Sequence, residues 1–344
     1  MKSELDTLFL PLMDGSLHDD LQGKTLAFLN GRFHPILAKL GAETIHIQQV
    51  FKPFAQEIES SNYDLIPDPR EVKEGHYDTA LLLASKNQRE SETLLARAAM
   101  ALKQGGLLVM AADNKAGGTR LKKMLENLGF DNIAEHSKNK ARVVWARRPD
   151  NLNDSYAQKW LGQDKDQQIA QGFISRPGLY GWDKIDKGSA LLADTLPNDL
   201  KGKGADFGCG YGYLCRAALE KNRKIKALDY SDADFRALDI CARNLADFEV
   251  QKRGLWLDLT APHPELKGVY DWIVMNPPFH EGKKTDSDIG VSFINSASAS
   301  LRKKGRLFMV ANMHLPYEAA LERYFYNFEM IAQAGGFKVF CAWK

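Results

Sequence analysis

Short apolar runs alternate with stretches of helical spacing through the second half of the chain. "GKGADFGCG" predicts a short strand and a glycine turn, "YLCRAALEKN" a helix, and "KIKALDYS" a second strand. "DADFRALDICARNLADF" carries apolar residues at helical intervals. "DWIVM" reads as a strand buried on both faces, "SFINSASASLRKKG" as a helix, and "RLFMVAN" as another strand. Strands alternating with helices predict an α/β fold, a mostly parallel sheet with helices on both faces.

The first half repeats this pattern. "KTLAFLNGRFHPILAKLG" resembles the strand–turn–helix opening, and "TIHIQQVF" the second strand. "YDTALLLASKN" from residue 77 parallels "YDWIVMNPPFH" from residue 270, an offset of 193. "LKQGGLLVMAADN" from 102 parallels "LRKKGRLFMVANM" from 301, an offset of 199. "LKKMLENLGF" likewise parallels "LERYFYNFEM". Agreement in order and spacing predicts an internal duplication of one domain, with a few inserted residues. Residues 1–148 form the first copy, 173–344 the second, and the polar segment 149–172 reads as a linker. Trp160-Leu161 gives that linker an apolar edge that docks on something.

The turn "ADFGCGYGYL" places Gly208, Gly210 and Gly212 after a strand that carries Asp206 near its end. Glycines there let a ligand approach the backbone and leave amides facing it. Dinucleotide sites use a different glycine spacing, and an acid at Asp206 repels a pyrophosphate. It suits a ligand with an amino group. S-adenosylmethionine has an amino group, a sulfonium and no phosphate. Asp229, at the end of "IKALD", is expected to accept the ribose hydroxyls. Asp258, at the end of "GLWLD", is expected to accept from the adenine amine. The three acids then line the carboxyl edge of the sheet, where open α/β sheets bind ligands.

Asn276-Pro277-Pro278-Phe279 follows the apolar run "DWIVM". The two prolines donate no ladder hydrogen bond and fix an extended turn. The Asn276 amide oxygen and the Pro277 carbonyl form a pair of acceptors for a substrate NH₂ group. Phe279 offers a flat face for a planar base. An exocyclic amine or carboxamide is a weak nucleophile because its lone pair is delocalised. Two acceptors on its N–H bonds favour the pyramidal form and stabilise charge developing in the transition state. Neither a metal nor a strong base is required. Adenine-N6 or protein glutamine methylation fits the same pocket logic, and a binding protein on a dead fold is the reading from a different class. His280 is a weaker substrate candidate.

Composition narrows this only slightly. The 344 residues are 44% apolar and 26% charged, with a net charge of +2, so any polyanion must be met by local patches. Basic clusters occur at Arg120/Lys122/Lys123, Lys138/Lys140/Arg142, Arg147/Arg148, Lys283/Lys284 and Arg302/Lys303/Lys304. Lys283 and Lys284 follow the Asn-Pro-Pro-Phe turn, where backbone phosphates of a nucleic acid would lie. The four cysteines form no C-x-x-C pair, which argues against a zinc site or a disulfide framework. No apolar stretch has the length of a membrane span, and a cytoplasmic protein is expected.

Asp206–Gly212 together with Asn276–Phe279 resembles the class I methyltransferases that modify amino groups. "NPPFHEG", "GFISRPGLYGWDKIDKGSALL" and the closing "IAQAGGFKVF" resemble the ribosomal RNA guanine-N2 methyltransferases, and "SKNQRES" and "AADNKAGG" resemble that family's N-terminal domain. The resemblance covers nearly the whole chain. It implies two tandem Rossmann-like methyltransferase domains, S-adenosylmethionine as cofactor, and ribosomal RNA or the small ribosomal subunit as partner. It also implies an N-terminal domain that does not catalyse. The small-subunit enzyme is the closer match in length and in "NPPFHEG"; the large-subunit enzyme remains the alternative. The first copy agrees, since Leu83-Ala84-Ser85-Lys86 stands where the second has Asn276–Phe279, and Gln48 or Gln49 stands near the position of Asp229. A monomer is expected, the duplication supplying the pairing a dimer would give.

Overall fold

The computed structural model describes all residues except 1, 2, 14, 16, 18–20 and 279–283, and only the backbone of 284–287. The chain divides into two compact units, Met1–Lys165 and Asp166–Lys344.

The first unit runs α1 (Glu4–Leu8), α2 (Leu10–Met13), β1 (Thr25–Leu29), β2 (Thr44–Gln48), α3 (Lys52–Glu59), β3 (Asp64–Ile66) and β4 (Tyr77–Leu83). It continues with α4 (Gln88–Ala101), β5 (Leu102–Asp113), α5 (Leu121–Asn127), β6 (Ala134–Lys138), β7 (Ala141–Arg147) and α6 (Asp154–Leu161). Its sheet has seven strands in the order β3-β2-β1-β4-β5-β7-β6. Only β7 is antiparallel to its neighbours β5 and β6. The alanines of α4 at 96, 98, 99 and 101 are fully buried and let the helix lie close on the sheet.

The second unit starts with the hairpin β8 (Gln167–Gln168) and β9 (Ile174–Ser175), then α7 (Lys187–Thr195), β10 (Lys201–Phe207), α8 (Tyr213–Lys221) and β11 (Lys224–Asp232). It continues with α9 (Phe235–Asn244), β12 (Gln251–Trp256), β13 (Tyr270–Met275), α10 (Lys284–Ser300), β14 (Leu301–Asn312), α11 (Glu318–Tyr324), β15 (Asn327–Ala334) and β16 (Phe337–Trp343). The main sheet order is β12-β11-β10-β13-β14-β16-β15, the same winding as the first. β13 lies at its centre, and Trp272, Ile273, Val274 and Met275 are all buried because helices cover both faces. α9 shows one way a helix is started and packed. Asp234 caps its first turn by accepting from Arg236 N, Cys241 packs in the core on the sheet, and Ala237 and Ile240 pack with Phe173, Leu179 and Tyr211.

The duplication is visible in the strand registers. Leu26 of β1 pairs with Thr79 and Ile45, and Gly204 of β10 pairs with Trp272 and Leu228. The same irregularity follows the tyrosine that opens β4 and the one that opens β13.

The segment 149–172 is not a free linker. Its first part forms α6, which packs on α4 through Ala157 and Trp160, 1% and 3% exposed. Thr93 Oγ1 donates to the Trp160 carbonyl at 2.9 Å, and Arg97 pairs with Asp164 at 2.9 Å. Its second part belongs to the other unit, where Asp166 pairs with the buried Arg176 at 2.6 Å and with Arg243. Ala157 and Trp160 are its two fully buried anchors, with Tyr156 and Leu161 partly buried beside them, and the polar composition of the rest of the segment hid the helix.

Candidate active site

The carboxyl ends of β10, β11 and β13 meet at the glycine turn. Gly208, Gly210 and Gly212 have φ of +85°, +52° and +90°, the left-handed region that favours glycine. Their duties differ. A Cβ on Gly212 would stand 2.8 Å from Cys241 Sγ, so this glycine serves packing between α8 and α9. A Cβ on Gly210 would meet nothing within 4 Å, and one on Gly208 only Phe293 at 3.7 Å and the Asn276 carbonyl at 4.0 Å. These two leave open space for a ligand.

The turn's amides do not face that space as the sequence led us to expect. Gly208 N and Cys209 N both donate to the Ser231 carbonyl, at 2.8 and 2.9 Å, and Gly210 N donates to Asp232 Oδ2 at 2.8 Å. The turn therefore offers close approach rather than a row of donors.

Asp206 is completely buried. Its Oδ2 accepts from the Cys215 thiol at 3.1 Å, while Oδ1 has no partner. Burial pushes its pKa up to about 7, and the neighbouring Asp232 adds to the rise. A buried carboxyl with an unsatisfied oxygen beside an open glycine turn fits a ligand that brings a donor, above all a cationic one. The residues present thus fit S-adenosylmethionine.

Asp229 does not end its strand, and this corrects the sequence reading. β11 continues through Tyr230 and Ser231 to Asp232, with Asp229 opposite Ala205 and Ser231 opposite Phe207. The Asp229 carboxylate lies on the sheet. Its Oδ2 accepts from Arg253 at 2.6 Å, from the Tyr270 hydroxyl at 2.8 Å and from Lys203 at 3.0 Å. Burial raises its pKa, but these three partners outweigh that and hold it below the ordinary carboxylate range. Asp229 ties four strands together. The acid at the carboxyl edge is Asp232, whose Oδ1 accepts from Asp234 N at 2.9 Å and whose Oδ2 holds Gly210 N. Burial pushes it up to about 6. The signal that could have found it is the helix cap: Asp234 opens α9, so the strand must end just before it.

Asp258 lies two residues beyond β12 and accepts from Thr260 N and Oγ1 at 2.9 and 2.6 Å, an Asx turn that fixes the third acid near this edge.

Asn276 follows β13 directly. Its Nδ2 donates to Asp186 Oδ1 and Ser189 Oγ, each at 2.9 Å. A carboxylate cannot donate, so Asp186 fixes which way the amide points. Asn276 Oδ1 is left as a buried acceptor with no partner. Asp186 also caps α7 by accepting from Ser189 N at 2.8 Å, so one carboxylate sets both the helix start and the amide. Asp186 and Ser189, within "DKIDKGS", were not among the site residues expected from the sequence; an acid three residues before a serine at the start of an apolar helix was the available signal. Pro277 is buried and Pro278 exposed. Phe279, His280 and Lys283 lie outside the described residues, as does the side chain of Lys284, which opens α10.

In the first unit the strand registers put Phe28 at the position of Asp206, Gln49 at that of Asp232 and Leu83 at that of Asn276. His46, not Gln48 or Gln49, matches Asp229. The turn is filled from within: Asn30 N donates to Gln48 Oε1 at 3.1 Å, Asn30 Nδ2 to the Leu83 carbonyl at 2.9 Å, and Gln49 Nε2 to the Gly31 carbonyl at 2.7 Å.

Comparison with known proteins agrees with this division. Residues 170–341 match the family "Methyltransferase small domain", and residues 18–163 match "Methyltransferase small domain N-terminal". The ribosomal RNA small subunit methyltransferase C of Cronobacter sakazakii is 29% identical over 334 residues, covering 96% of this chain and 91% of that protein. The protein of the same name from Shewanella piezotolerans is 30% identical over 275 residues, covering 77% of this chain and 76% of its own. Among solved structures, the T. thermophilus 16S rRNA N2 methyltransferase (RsmC), in complex with AdoMet and guanosine, superposes with a TM-score of 0.77. It is 23% identical, over 96% of this chain and 92% of that one, and shares the tandem fold. Both the domain matches and the full-length relatives lead to one family, and the chain belongs to it: the ribosomal RNA small subunit methyltransferase C family, two tandem class I methyltransferase domains of which the second carries the site.

Proposed function

We propose that this protein transfers a methyl group from S-adenosylmethionine to the exocyclic N2 amine of a guanine in small-subunit ribosomal RNA. The observation that carries this is Asn276, whose amide is oriented by Asp186 and Ser189 so that a buried oxygen remains free to accept. S-adenosylmethionine supplies the electrophilic methyl group. Asp206, Asp232 and Asp258, with the open space at Gly208 and Gly210, are the residues that hold it. Asn276 Oδ1 and the Pro277 carbonyl accept the two N–H bonds of the guanine amine and direct its lone pair at the methyl carbon. Positioning of this kind contributes roughly 7–11 kcal/mol in well-oriented reactions. Phe279 stacks on the base, which must be unpaired or flipped out of a helix. As nitrogen is alkylated it becomes acidic, and its proton passes to solvent. The first unit, with Phe28, Gln49 and Leu83 at the site positions, is non-catalytic and supports RNA binding or the catalytic unit. The substrate implies a cytoplasmic protein, and the expected monomer is checked by light scattering.

The test is methyl transfer from labelled S-adenosylmethionine to unmodified small subunits, large subunits and their free RNAs, read by nucleoside mass spectrometry. The expected product is N2-methylguanosine in small-subunit RNA. Label confined to adenosine, to large-subunit RNA or to protein would overturn the substrate assignment.

A further inference from the structure

At the amino end of the second unit's sheet, opposite the glycine turn, the starts of β10 and β11 and the turn that opens β14 enclose a groove of about 940 Å³. Lys201, Arg223, Lys224, Lys226, Lys303 and Lys304 line it, and all six are exposed. Among the described residues, none of the six pairs with a carboxylate. The acids in the groove are already engaged, Asp199 with Arg306 at 2.7 Å and Asp271 with Arg302 at 3.0 Å. The groove thus holds unneutralised positive charge in a protein whose net charge is only +2.

The first unit serves as an internal comparison, because its strand order is the same and its register matches from Thr25 and Thr44 onward. Counting back along the chain from β2, Leu40, Gly41 and Glu43 fall at the places of Arg223, Lys224 and Lys226 in a loop ahead of the paired strands, and Gln104 and Gly105 stand at those of Lys303 and Lys304 by register. The fold therefore does not require the charge. Lys304 makes the point sharply. It has a φ of +69°, the same as Gly105 at the matching turn, so a lysine occupies a conformation that favours glycine.

We propose that this groove binds the phosphodiester backbone of the substrate RNA at a second point, away from the target base. The inference rests on the ribosomal RNA reading above. β10 alone spans about 20 Å from Lys201 to Phe207 at roughly 3.3 Å per residue. The groove and the active site thus lie at opposite ends of the sheet, and an RNA that engages both must span at least this distance.

The experiment compares the wild-type protein with the triple variant Lys224→Ala, Lys303→Ala, Lys304→Ala. A control triple, Lys39→Ala, Lys73→Ala, Lys165→Ala, removes equal charge elsewhere. Binding to a full small-subunit ribosomal RNA transcript is measured by filter retention across about 50–200 mM salt. With about 0.7 counterions released per single-strand contact, loss of three contacts lowers the log–log salt slope by about 2 and the affinity at 0.1 M salt by roughly a hundredfold. The affinity for S-adenosylmethionine and the melting temperature stay at wild-type values, showing that the unit is intact. Affinity within about threefold of wild type, or an equal loss in the control triple, overturns the proposal. Methyl transfer is not part of this readout, so an RNA that binds through the groove without being methylated counts against the proposed function and not against the groove.

Discussion

S-adenosylmethionine binding should release a proton below neutral pH, because the acid it meets is held neutral in the empty site. Asp206 has a pKa of about 7 as a result of burial and of Asp232, and its Oδ1 lacks a partner. At a pH of about 5.5 only about 3% of a group with that pKa is ionised. If the bound state requires the carboxylate, affinity there is roughly thirtyfold below its plateau, about 2 kcal/mol, and rises to the plateau above a pH of about 8. Asp232, at about 6, steepens the acidic limb. The sign for stability follows from the same shift. The folded pKa lies above the unfolded one near 4, so Asp206 stabilises the ligand-free protein fully only below about 4, and that contribution is lost as pH rises through 7. The ligand's thermal shift should therefore be larger at a pH of about 8 than at 5.5. Isothermal titration in buffers of different ionisation heat counts the protons directly. It should find one or more released per ligand near pH 5.5 and close to none near 8.5. Asp206→Asn should bind weakly at every pH and lose the part of the dependence centred near 7, keeping only the weaker limb from Asp232. Affinity that is flat over this range in the wild type, with no proton exchanged, would refute the reasoning.

Asp186→Asn keeps the helix cap, since Asn caps as well as Asp, but introduces a group able to donate, so the Asn276 amide is free to flip. The melting temperature should hold while kcat falls by about ten- to a hundredfold at unchanged cofactor affinity; an unchanged kcat would show that Asp186 does not orient Asn276. Gly212→Ala combines a positive φ with a 2.8 Å approach to Cys241 Sγ and should cost about 2–4 kcal/mol in urea unfolding, whereas Gly210→Ala should cost about 1 kcal/mol and weaken cofactor binding instead. The fragment 1–165 should be more stable than 1–148 by about 3 kcal/mol, because the shorter one loses Trp160 and Ala157 from the face of α4, and neither should bind S-adenosylmethionine in a titration.

Much of this arrangement was legible in the sequence because it rests on local signals. A central parallel strand needs apolar residues on both faces, and "DWIVM" has them; a left-handed turn needs glycine, and "FGCGYG" has three. Asp229 misled for a physical reason. A carboxylate in a strand reads as the strand's end, because burying an unpaired charge is costly. Here the charge is paired, but its partners Lys203, Arg253 and Tyr270 come from three other strands, the nearest 24 residues away in sequence. No local pattern announces such a tie. The turn's amides were misjudged for a related reason, since their acceptors are the Ser231 carbonyl and Asp232 of the next strand.

The two units also separate what the fold requires from what the reaction requires. Each opens its central strand with Tyr-Asp, and the aspartate makes the same tie in both. Asp78 accepts from Thr25 N at 3.0 Å and from Lys103 at 2.7 Å; Asp271 accepts from Lys203 N at 2.8 Å and from Arg302 at 3.0 Å. Thr25 matches Lys203, and Lys103 matches Arg302, so these bonds are equivalent by register. They lie at the amino edge of the sheet and hold the strand register. At the carboxyl edge the units share none of the chemistry, since Phe28, Gln49 and Leu83 replace Asp206, Asp232 and Asn276. An unpartnered buried carboxyl and amide destabilise a fold that gains nothing from them. Replacing them with apolar or internally bonded side chains removes that cost. The first unit has the composition expected of a site released from catalysis while its scaffold is kept, and the second bears the cost of Asp206 Oδ1 and Asn276 Oδ1, which under the proposed function ligand and substrate complete.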